Sequence, residues 1–375
     1  MSLFENIASL RADQRFVDTD HWAAHGAQWA SGDSKRIECL SVVAETHDVK
    51  TFVFHSPDYP ALAYEPGQFL TVSPVIDGQS ISRCYTLSST PTRPFTFSIT
   101  VKRVPGGAVS NWLHDNLKAG DAMAASGPAG VFTPVAGPAC KLLYLSAGSG
   151  ITPLMAMTRA AADLHADLDI VFVHSARTPK DIIFREELTR LERSMPRLRT
   201  LFFCEGLGDE PDWDGPIGRL SIDELQQRIP DFLERAVFTC GPKGYMDATK
   251  GLLGSAGFDL ARYHQESFDI SAEVVVEPVP SSEPGKAQDT FTVRLARSGK
   301  EFTMTADQTV LSAAKKAGAV VPSSCSQGVC GTCKTAVLEG SVEMKHNGGI
   351  RQREIDKGLR LLCCSRPTSD LVIDL

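Results

Sequence analysis

The chain has 375 residues, of which 42% are hydrophobic and 22% are charged, so it is longer than one typical domain and can form packed cores. This composition excludes a disordered chain, a collagen-like repeat and a small disulfide-stapled scaffold, and no apolar run approaches the ~18 residues of a membrane span. The net charge of −7 argues against a general nucleic-acid binder, and the ten cysteines of a chain without a secretory signal predict reduced thiols or metal ligands in the cytoplasm.

Residues 1–35 match neither of the two patterns that follow them and are predicted to be an extension. Trp22 and Trp29 stand seven residues apart there, a spacing that allows one helical face. We expect these rings to pack on the protein's own barrel, because isolated aromatic residues usually serve packing. Docking to a partner is the alternative.

Residues 36–137 contain short β-rich runs separated by Pro, Gly and Asp, which predict an antiparallel β-barrel. One run carries the segment Arg83 to Thr86 (RCYT). Alternate side chains of a strand point to the same side, so Arg83 and Tyr85 could contact one ligand. Alone this segment is a weak signal, since an exposed arginine needs no ligand. About twenty residues later, Gly106–Ser110 precedes a helix. It is suited to bind a phosphate, or it is an ordinary helix start with Ser110 as the N-cap.

Residues 138–270 alternate buried strands with helices, which predicts a parallel, doubly wound sheet. Gly148 and Gly150 stand at a strand–helix turn, where backbone N–H groups can approach a pyrophosphate. The full G-x-G-x-x-G fingerprint is absent, so a plain tight turn is the alternative. Arg177 follows the second strand and could receive a 2′-phosphate. NADH is nevertheless preferred over NADPH, because no concentrated basic cluster surrounds this arginine.

Residues 271–287 are predicted to be a linker, and residues 288–375 are long enough to fold alone. Cysteines in this module follow the C-x4-C-x2-C spacing of a plant-type [2Fe–2S] cluster, with a fourth ligand about 29 residues later. Buried core thiols or a zinc site are the alternatives, but zinc sites usually show paired C-x2-C units. The spacing alone does not choose between Cys363 and Cys364.

The sequences SSCSQGVCGTC and LLCCSRPTSD resemble the plant-type ferredoxin domain, which implies an α+β β-grasp fold. In that family the last ligand stands four residues before a proline, so Pro367 selects Cys363 and leaves Cys364 as a core thiol. The implied metal ligands are Cys325, Cys330, Cys333 and Cys363.

Four motifs of the first 270 residues resemble the ferredoxin–NADP⁺ reductase superfamily, namely R-x-Y-[ST], G-x-G-x-T-P, C-G-P and a terminal E-x-F. The resemblance implies flavin binding, with FAD preferred over FMN because the phosphate loop is similar to that of flavohaemoglobin-type reductases. The implied flavin-binding residues are Arg83, Tyr85, Thr86, Lys102, Gly107, Val109 and Ser110. The implied nucleotide-binding residues are Gly148, Gly150, Thr152, Pro153, Arg177, Cys240, Gly241 and Pro242, and those near the hydride path are Thr86, Cys240, Glu266 and Phe268.

The order of the three modules predicts one electron path. Nicotinamide gives up two electrons as a hydride and a [2Fe–2S] cluster accepts one at a time, so a flavin must lie between them. From about Lys35 the chain resembles the reductase subunits of Rieske-type monooxygenases, those of the glycine betaine type in particular. The implied partner is a terminal oxygenase or another electron-accepting protein, with no nucleic acid and no membrane insertion. A reductase of hybrid-cluster protein and a redox-responsive binding protein without turnover are the alternatives.

Overall fold

The computed structural model describes residues 28–29, 35–59, 61–130, 132–134, 141–267, 290–319, 321, 328, 333–346, 350 and 352–375. The chain divides into two compact units, one of Met1–Pro128 with Phe132–Phe268 and one of Ala129–Val131 with Asp269–Leu375. Within the described ranges, no helix has the length and apolar character needed to cross a membrane. Several predictions fall on residues outside these ranges, namely those for Trp22, Phe268, residues 271–287, Cys325 and Cys330.

The first part of the first unit is a closed β-barrel, as predicted. Six strands hydrogen-bond in the order β8-β5-β10-β2-β3-β9, and a bridge between Leu87 and Ile99 joins the two ends. The pairs β2–β3, β3–β9, β5–β8 and β2–β10 run antiparallel. The elements are β1 (Gln28–Trp29), β2 (Lys35–Thr46), β3 (Val49–His55), β4 (Ala61–Leu62), β5 (Phe69–Ser73), β6 (Val75–Ile76), β7 (Gln79–Ser80), β8 (Arg83–Thr86), β9 (Phe97–Lys102), α1 (Ala108–Asn116) and β10 (Ala122–Ala129).

Aromatic side chains from several strands fill the barrel. In β3 the rings of Phe52 and Phe54 are fully buried, because alternate side chains of a strand face the interior. Trp29 is also fully buried, and its ring meets that of Phe97 edge to face at 5.9 Å between centroids. It pairs with Leu62 as part of a strand, so it packs on the barrel as expected, but the helical face suggested by the tryptophan spacing is wrong at this position.

The second part of the first unit is a parallel five-stranded sheet in the order β13-β12-β11-β14-β15. Six of the seven residues of β11 are buried, because side chains on both faces enter a core. One core contains Leu142 and the other contains Leu143, so the prediction of a doubly wound sheet is confirmed. The elements are β11 (Lys141–Ala147), α2 (Ile151–Asp163), β12 (Asp169–Ala176), α3 (Arg185–Ser194), β13 (Leu198–Cys204), α4 (Ile222–Arg228), β14 (Ala236–Gly241), α5 (Lys243–Ser255) and β15 (Tyr263–Ser267).

The second unit is an α+β domain whose main sheet has the order β17-β16-β22-β18-β20. Its core joins Val293 and Ile373 of the sheet to Leu311 of the helix, and Cys333 and Cys363 belong to the same core. The predicted ferredoxin-type fold is confirmed. The elements are β16 (Thr290–Leu295), β17 (Glu301–Thr305), α6 (Val310–Lys316), β18 (Lys334–Glu339), β19 (Val342–Met344), α7 (Gln352–Ile355), β20 (Leu359–Leu361), β21 (Ser365–Pro367) and β22 (Leu371–Ile373).

Candidate functional site

Strand β8 presents the residues predicted to bind a flavin. It pairs with β5 so that Arg83 lies opposite Val72 and Tyr85 opposite Leu70. The Arg83 Nη1 atom donates to the Ser82 carbonyl oxygen at 2.9 Å, and the described residues place no carboxylate within ion-pair distance of this guanidinium. Arginine binds phosphate through paired N–H donors, so Arg83 retains the capacity to do so. Burial raises the pKa of the Tyr85 hydroxyl, which keeps the ring neutral.

The glycine loop before α1 is closed by its own side chains. The Ser110 Oγ atom accepts from the Val104 N–H at 3.2 Å, and the Asn111 side-chain amide donates to the Gly107 carbonyl oxygen at 2.7 Å. A Cβ atom at Gly107 would lie 2.7 Å from Ser110 Oγ, which explains the glycine. Ser110 is therefore not the N-cap, which is Gly107. With the Val109 side chain buried in the barrel core, the backbone N–H groups of Val109 and Ser110 in the first turn of α1 can face a phosphate, whereas the Gly107 N–H donates to the Val104 carbonyl oxygen at 3.0 Å.

The predicted pyrophosphate turn is a single 3-10 turn, Gly148–Gly150, between β11 and α2. Gly148 has a positive φ of 52°, which favours glycine. A Cβ atom at Gly150 would lie 2.3 Å from the Cys240 carbonyl oxygen, so this glycine is required because the turn packs directly on the end of β14. The Thr152 hydroxyl donates a hydrogen bond to the Ser149 carbonyl oxygen at 3.1 Å. Pro153 lies in the first turn of α2, as predicted.

Three predicted motifs meet at one point of the first unit. Cys240 of β14 pairs with Glu266 of β15, and the Thr86 hydroxyl of the barrel lies 3.5 Å from a Glu266 carboxyl oxygen. All three side chains are buried. Gly241 ends β14 and Pro242 caps α5, so the strand end carrying Cys240 is fixed by the start of a helix. Residues up to 180 positions apart in the chain are thus brought together.

Burial controls the protonation of the Glu266 carboxyl and the Cys240 thiol. It raises the pKa of Glu266 to about 8, against the opposing effect of the Thr86 hydrogen bond, so the carboxyl is neutral at neutral pH. Burial, with the nearby Glu266, also raises the pKa of the Cys240 thiol well above its usual range. Cys240 is therefore a neutral core thiol, which agrees with a structural rather than a nucleophilic role.

Lys102 and Arg177, predicted to bind cofactors, share one carboxylate that the sequence reasoning did not consider. The Asp48 Oδ2 atom lies 3.2 Å from Lys102 Nζ and 3.3 Å from Arg177 Nη2. Asp48 belongs to the turn between β2 and β3 of the barrel. No sequence signal points to it, because its partners are 54 and 129 positions away.

A buried histidine was also missed. His174 of β12 is fully buried, and its Nδ1 atom lies 2.8 Å from the Ser146 hydroxyl, two residues before the Gly148–Gly150 turn. Burial lowers the pKa of His174 to about 3, with a smaller contribution from Lys102, so the ring is neutral. The sequence signal for His174 is that it is a polar residue within a run of apolar strand residues. The pair joins the ends of two neighbouring strands beneath the turn.

Two of the four predicted cluster ligands lie in the described residues, and their surroundings fit an iron–sulfur centre. Cys363 Sγ accepts from the Gly328 N–H at 3.1 Å, and Cys333 Sγ accepts from the Cys363 N–H at 3.4 Å. Backbone donors to sulfur are what a cluster thiolate requires. The Cys364 Sγ atom lies instead 3.5 Å from the Leu361 carbonyl oxygen, the arrangement of a protonated thiol that donates.

Three family models match the chain in the order of its domains. Oxidoreductase FAD-binding domain matches residues 38–133, oxidoreductase NAD-binding domain matches 144–251, and 2Fe-2S iron-sulfur cluster binding domain matches 293–368. These matches confirm the predicted cofactor classes, namely FAD, a nicotinamide nucleotide and a [2Fe–2S] cluster. The exact domain boundaries stay predictions.

The chain is similar to known proteins over nearly their whole length. The chain is 44% identical to the glycine betaine monooxygenase reductase subunit of Pseudomonas aeruginosa, over 92% of this chain and 96% of that protein. It is 41% identical to the stachydrine N-demethylase reductase subunit of Rhizobium meliloti, over 89% of this chain and 95% of that protein. Among solved structures, phthalate dioxygenase reductase matches with a TM-score of 0.55 and 27% identity, over 91% of this chain and 98% of that one.

Proposed function

We propose that this chain, which belongs to the family of monooxygenase reductase components with FAD-binding, NAD-binding and [2Fe–2S] domains, passes electrons from NADH to a terminal oxygenase that demethylates an N-methylated ammonium compound. The observation that carries the reductase chemistry is the meeting of Thr86, Cys240 and Glu266. A hydride donor and a flavin must face each other directly, and these residues come from the two domains that would hold them.

The predicted flavin and nucleotide residues other than Lys102 and Arg177 have the following proposed tasks. Arg83 supplies charge-assisted hydrogen bonds to the flavin phosphate, Tyr85 covers the ring, and Thr86 lies near the reacting edge. The backbone of Val109 and Ser110 supplies further N–H donors, and Gly107, whose own N–H donates to the Val104 carbonyl oxygen, shapes the loop before them. The other nucleotide residues are proposed to act mainly through the shape of the site rather than through charge. They are Gly148, Gly150, Thr152, Pro153, Cys240, Gly241 and Pro242.

Glu266 is proposed to hold a proton beside the hydride path. Its carboxyl is buried and contacts Thr86, and burial raises its pKa to about 8. A neutral carboxyl places no negative charge where the hydride arrives, and it can donate a hydrogen bond. Phe268, two residues later, is proposed to lie nearby.

The cluster is proposed to be held by Cys325, Cys330, Cys333 and Cys363. A bound flavin would supply the conversion of a two-electron hydride into single electrons, and a cluster held by these cysteines would supply one-electron transfer to a protein acceptor. The backbone N–H groups of Gly328 and Cys363 donate to the two described sulfurs, which favours added negative charge there.

The partner is proposed from the printed names of the relatives. Glycine betaine and stachydrine both carry N-methyl groups on a quaternary nitrogen, and the two relatives named for them are 44% and 41% identical to this chain. Oxidative removal of such a methyl group consumes dioxygen and two electrons and releases formaldehyde. We therefore place the protein in the cytoplasm, where NADH and such an oxygenase would be available.

The test has two arms that separate chemistry from partner. NADH oxidation with ferricyanide or cytochrome c as acceptor tests the reductase chemistry, and absence of turnover with both acceptors would refute it and support the binding-protein alternative. Formaldehyde release from glycine betaine by a purified oxygenase, with and without this protein, tests the partner. Reduction of cytochrome c without support of any N-demethylating oxygenase would contradict the partner and leave the reductase chemistry intact.

A further inference from the structure

A group of charged side chains surrounds the end of strand β12 in the first unit. Arg177 directly follows this strand, and its Nη2 atom lies 3.3 Å from Asp48 and 3.6 Å from Asp181. Asp181 is itself fixed, since it accepts hydrogen bonds from the Thr178 N–H at 3.1 Å and the Thr178 hydroxyl at 2.9 Å. The Arg177 guanidinium therefore already has two carboxylate partners.

The carboxylates are held more firmly than the arginine that they contact. The side chains of Asp48 and Asp181 are 18% and 10% exposed, whereas that of Arg177 is 60% exposed. Burial alone would raise the pKa of Asp48, but the Lys102 ammonium, together with the Thr46 hydroxyl and His47, outweighs burial and holds that pKa below its usual value, so the carboxylate is ionised at neutral pH. Two cations and two carboxylates leave the group without net charge.

The position of this group relates it to the nucleotide. Ser175 of β12 pairs with Ala147, the last residue of β11, and the Gly148–Gly150 turn begins directly after it. In parallel nucleotide-binding sheets the adenosine ribose lies at the end of the second strand, when the pyrophosphate lies at the turn after the first. The 2′ position of a bound nucleotide would then face Arg177 and its two carboxylates.

We propose that Asp48, a residue of the flavin barrel, makes the nucleotide domain select NADH over NADPH. This inference rests on the proposed function, because it assumes that NAD(P)H is the electron donor. A ribose hydroxyl can donate to a carboxylate, whereas a 2′-phosphate would face two carboxylates and an arginine that they already neutralise. Repulsion between the 2′-phosphate and these carboxylates corresponds to roughly a tenfold to hundredfold loss of affinity for NADPH.

A metal ion is the other ligand that these residues suggest. Ligand atoms of His47, Asp48 and Asp181 lie within 4.8 Å of one another. However, the Lys102 ammonium and the Arg177 guanidinium already contact these carboxylates and supply positive charge. We therefore assign the group to nucleotide selection.

The experiment compares Asp48→Asn with the unchanged protein, both with flavin and cluster bound. Values of kcat/KM are measured for NADH and NADPH with ferricyanide as acceptor, and competitive inhibition by 2′-AMP and 5′-AMP gives a binding measurement that does not depend on turnover of the nucleotide. We expect the NADPH-to-NADH ratio of kcat/KM to rise at least about tenfold. The inhibition constant of 2′-AMP should fall, while that of 5′-AMP changes little.

Two further variants define the cause. Adding Arg177→Ala to Asp48→Asn should abolish the gain with NADPH and 2′-AMP, because the released guanidinium is what would bind the phosphate. Asp115→Asn is the matched control, since Asp115 pairs with Arg103 at 2.5 Å on the same barrel and should leave the ratio unchanged.

The outcomes are distinguishable. A wild-type preference for NADPH, or an unchanged ratio in Asp48→Asn with NADH turnover retained, would overturn the role of Asp48. Equal losses with both nucleotides together with a lowered melting temperature would also overturn it, since Asp48 would then only join the barrel to the sheet. Lack of turnover with either nucleotide in the wild-type protein would instead refute the proposed function.

Discussion

The cysteine-bearing core of the second unit and the glycine turn of the first unit would serve the cofactors proposed for them by different chemistry. Cys333 and Cys363 offer sulfur atoms, and backbone N–H groups are directed at those sulfurs. At the turn, Gly150 contributes by lacking a side chain, because any Cβ atom would strike the Cys240 carbonyl group. One site therefore depends on ligand atoms that are present and the other on volume that is absent.

This difference determines which substitutions should be most damaging at each site. Removing one ligand from a metal centre takes away a bond that the metal requires, and a neighbouring group does not necessarily take the place of the lost ligand. Adding a methyl group to a close-packed turn costs about 1–3 kcal/mol, because the surrounding chain can shift in part. The cluster should thus be lost outright by a single exchange, whereas the nucleotide site should weaken by degrees.

The largest effect is expected from Cys363. Cys363→Ser, and more strictly Cys363→Ala, should abolish or severely deplete the visible spectrum and the iron content of the cluster, because a ligand is removed. Cys364→Ser is the matched control, since this neighbouring thiol is directed at the Leu361 carbonyl oxygen. Hydride transfer to flavin should survive in all variants. Loss of iron in Cys364→Ser with retention in Cys363→Ala would reverse the ligand assignment.

Flavin retention should depend on Arg83, whose side chain is proposed to contact the flavin phosphate. Arg83→Ala removes a charge-assisted phosphate contact of about 1.5–3 kcal/mol, so flavin affinity should fall roughly tenfold to a hundredfold. Flavin content after purification and the dissociation constant for added FAD measure this. Arg36→Ala, which removes the exposed ion pair with Glu38 on the same barrel, is the control. Equal flavin affinity in the two variants would remove the assigned role from Arg83.

The nucleotide turn gives a smaller, graded effect. Gly150→Ala should lower the free energy of unfolding by about 1–3 kcal/mol and raise the KM for NADH, because the new methyl group displaces the turn from β14. Gly251→Ala tests the same exchange in helix α5, where a Cβ atom meets nothing within 4 Å. It should be neutral or stabilise by up to about 1 kcal/mol. Urea unfolding and NADH titration measure both variants, and similar behaviour of the two would contradict the packing role of Gly150.

The same difference explains what the sequence could predict. The cysteine spacing pointed to the cluster because ligand chemistry is carried by residue type, and the strand–helix alternation pointed to the doubly wound sheet because burial on both faces leaves a periodic pattern. The reason for Gly150 was not accessible, since the Cys240 carbonyl group is 90 positions away and only the folded sheet brings them together.

Polar contacts between distant segments were the least predictable. Asp48 stands in an ordinary turn, and nothing in the residues around it indicates that it meets both Lys102 and Arg177. The sequence around Ser110 is compatible with an N-cap because a helical run follows it, yet its hydroxyl accepts from the Val104 N–H and the helix begins at Ala108. In both cases the local sequence allows several partners, and the tertiary structure selects one.

The smallest effect is expected at Glu266, where the ionisation of one buried carboxyl is tested. Burial raises its pKa to about 8, so the group is neutral below that pH and acquires a negative charge above it. Hydride transfer is proposed to bring negative charge beside this carboxyl, and a carboxylate there would oppose it by about 1 kcal/mol or more. The rate of flavin reduction by NADH, followed by stopped flow, should therefore fall several-fold as the pH rises through about 8.

The rate of flavin reduction in Glu266→Gln should not change over this pH range, because the amide does not ionise. Glu234→Gln, an exchange of an exposed carboxylate paired with Lys141, should keep the wild-type profile. A fall of equal size in Glu266→Gln would mean that another group titrates, and the neutral carboxyl would then have no part in the hydride step.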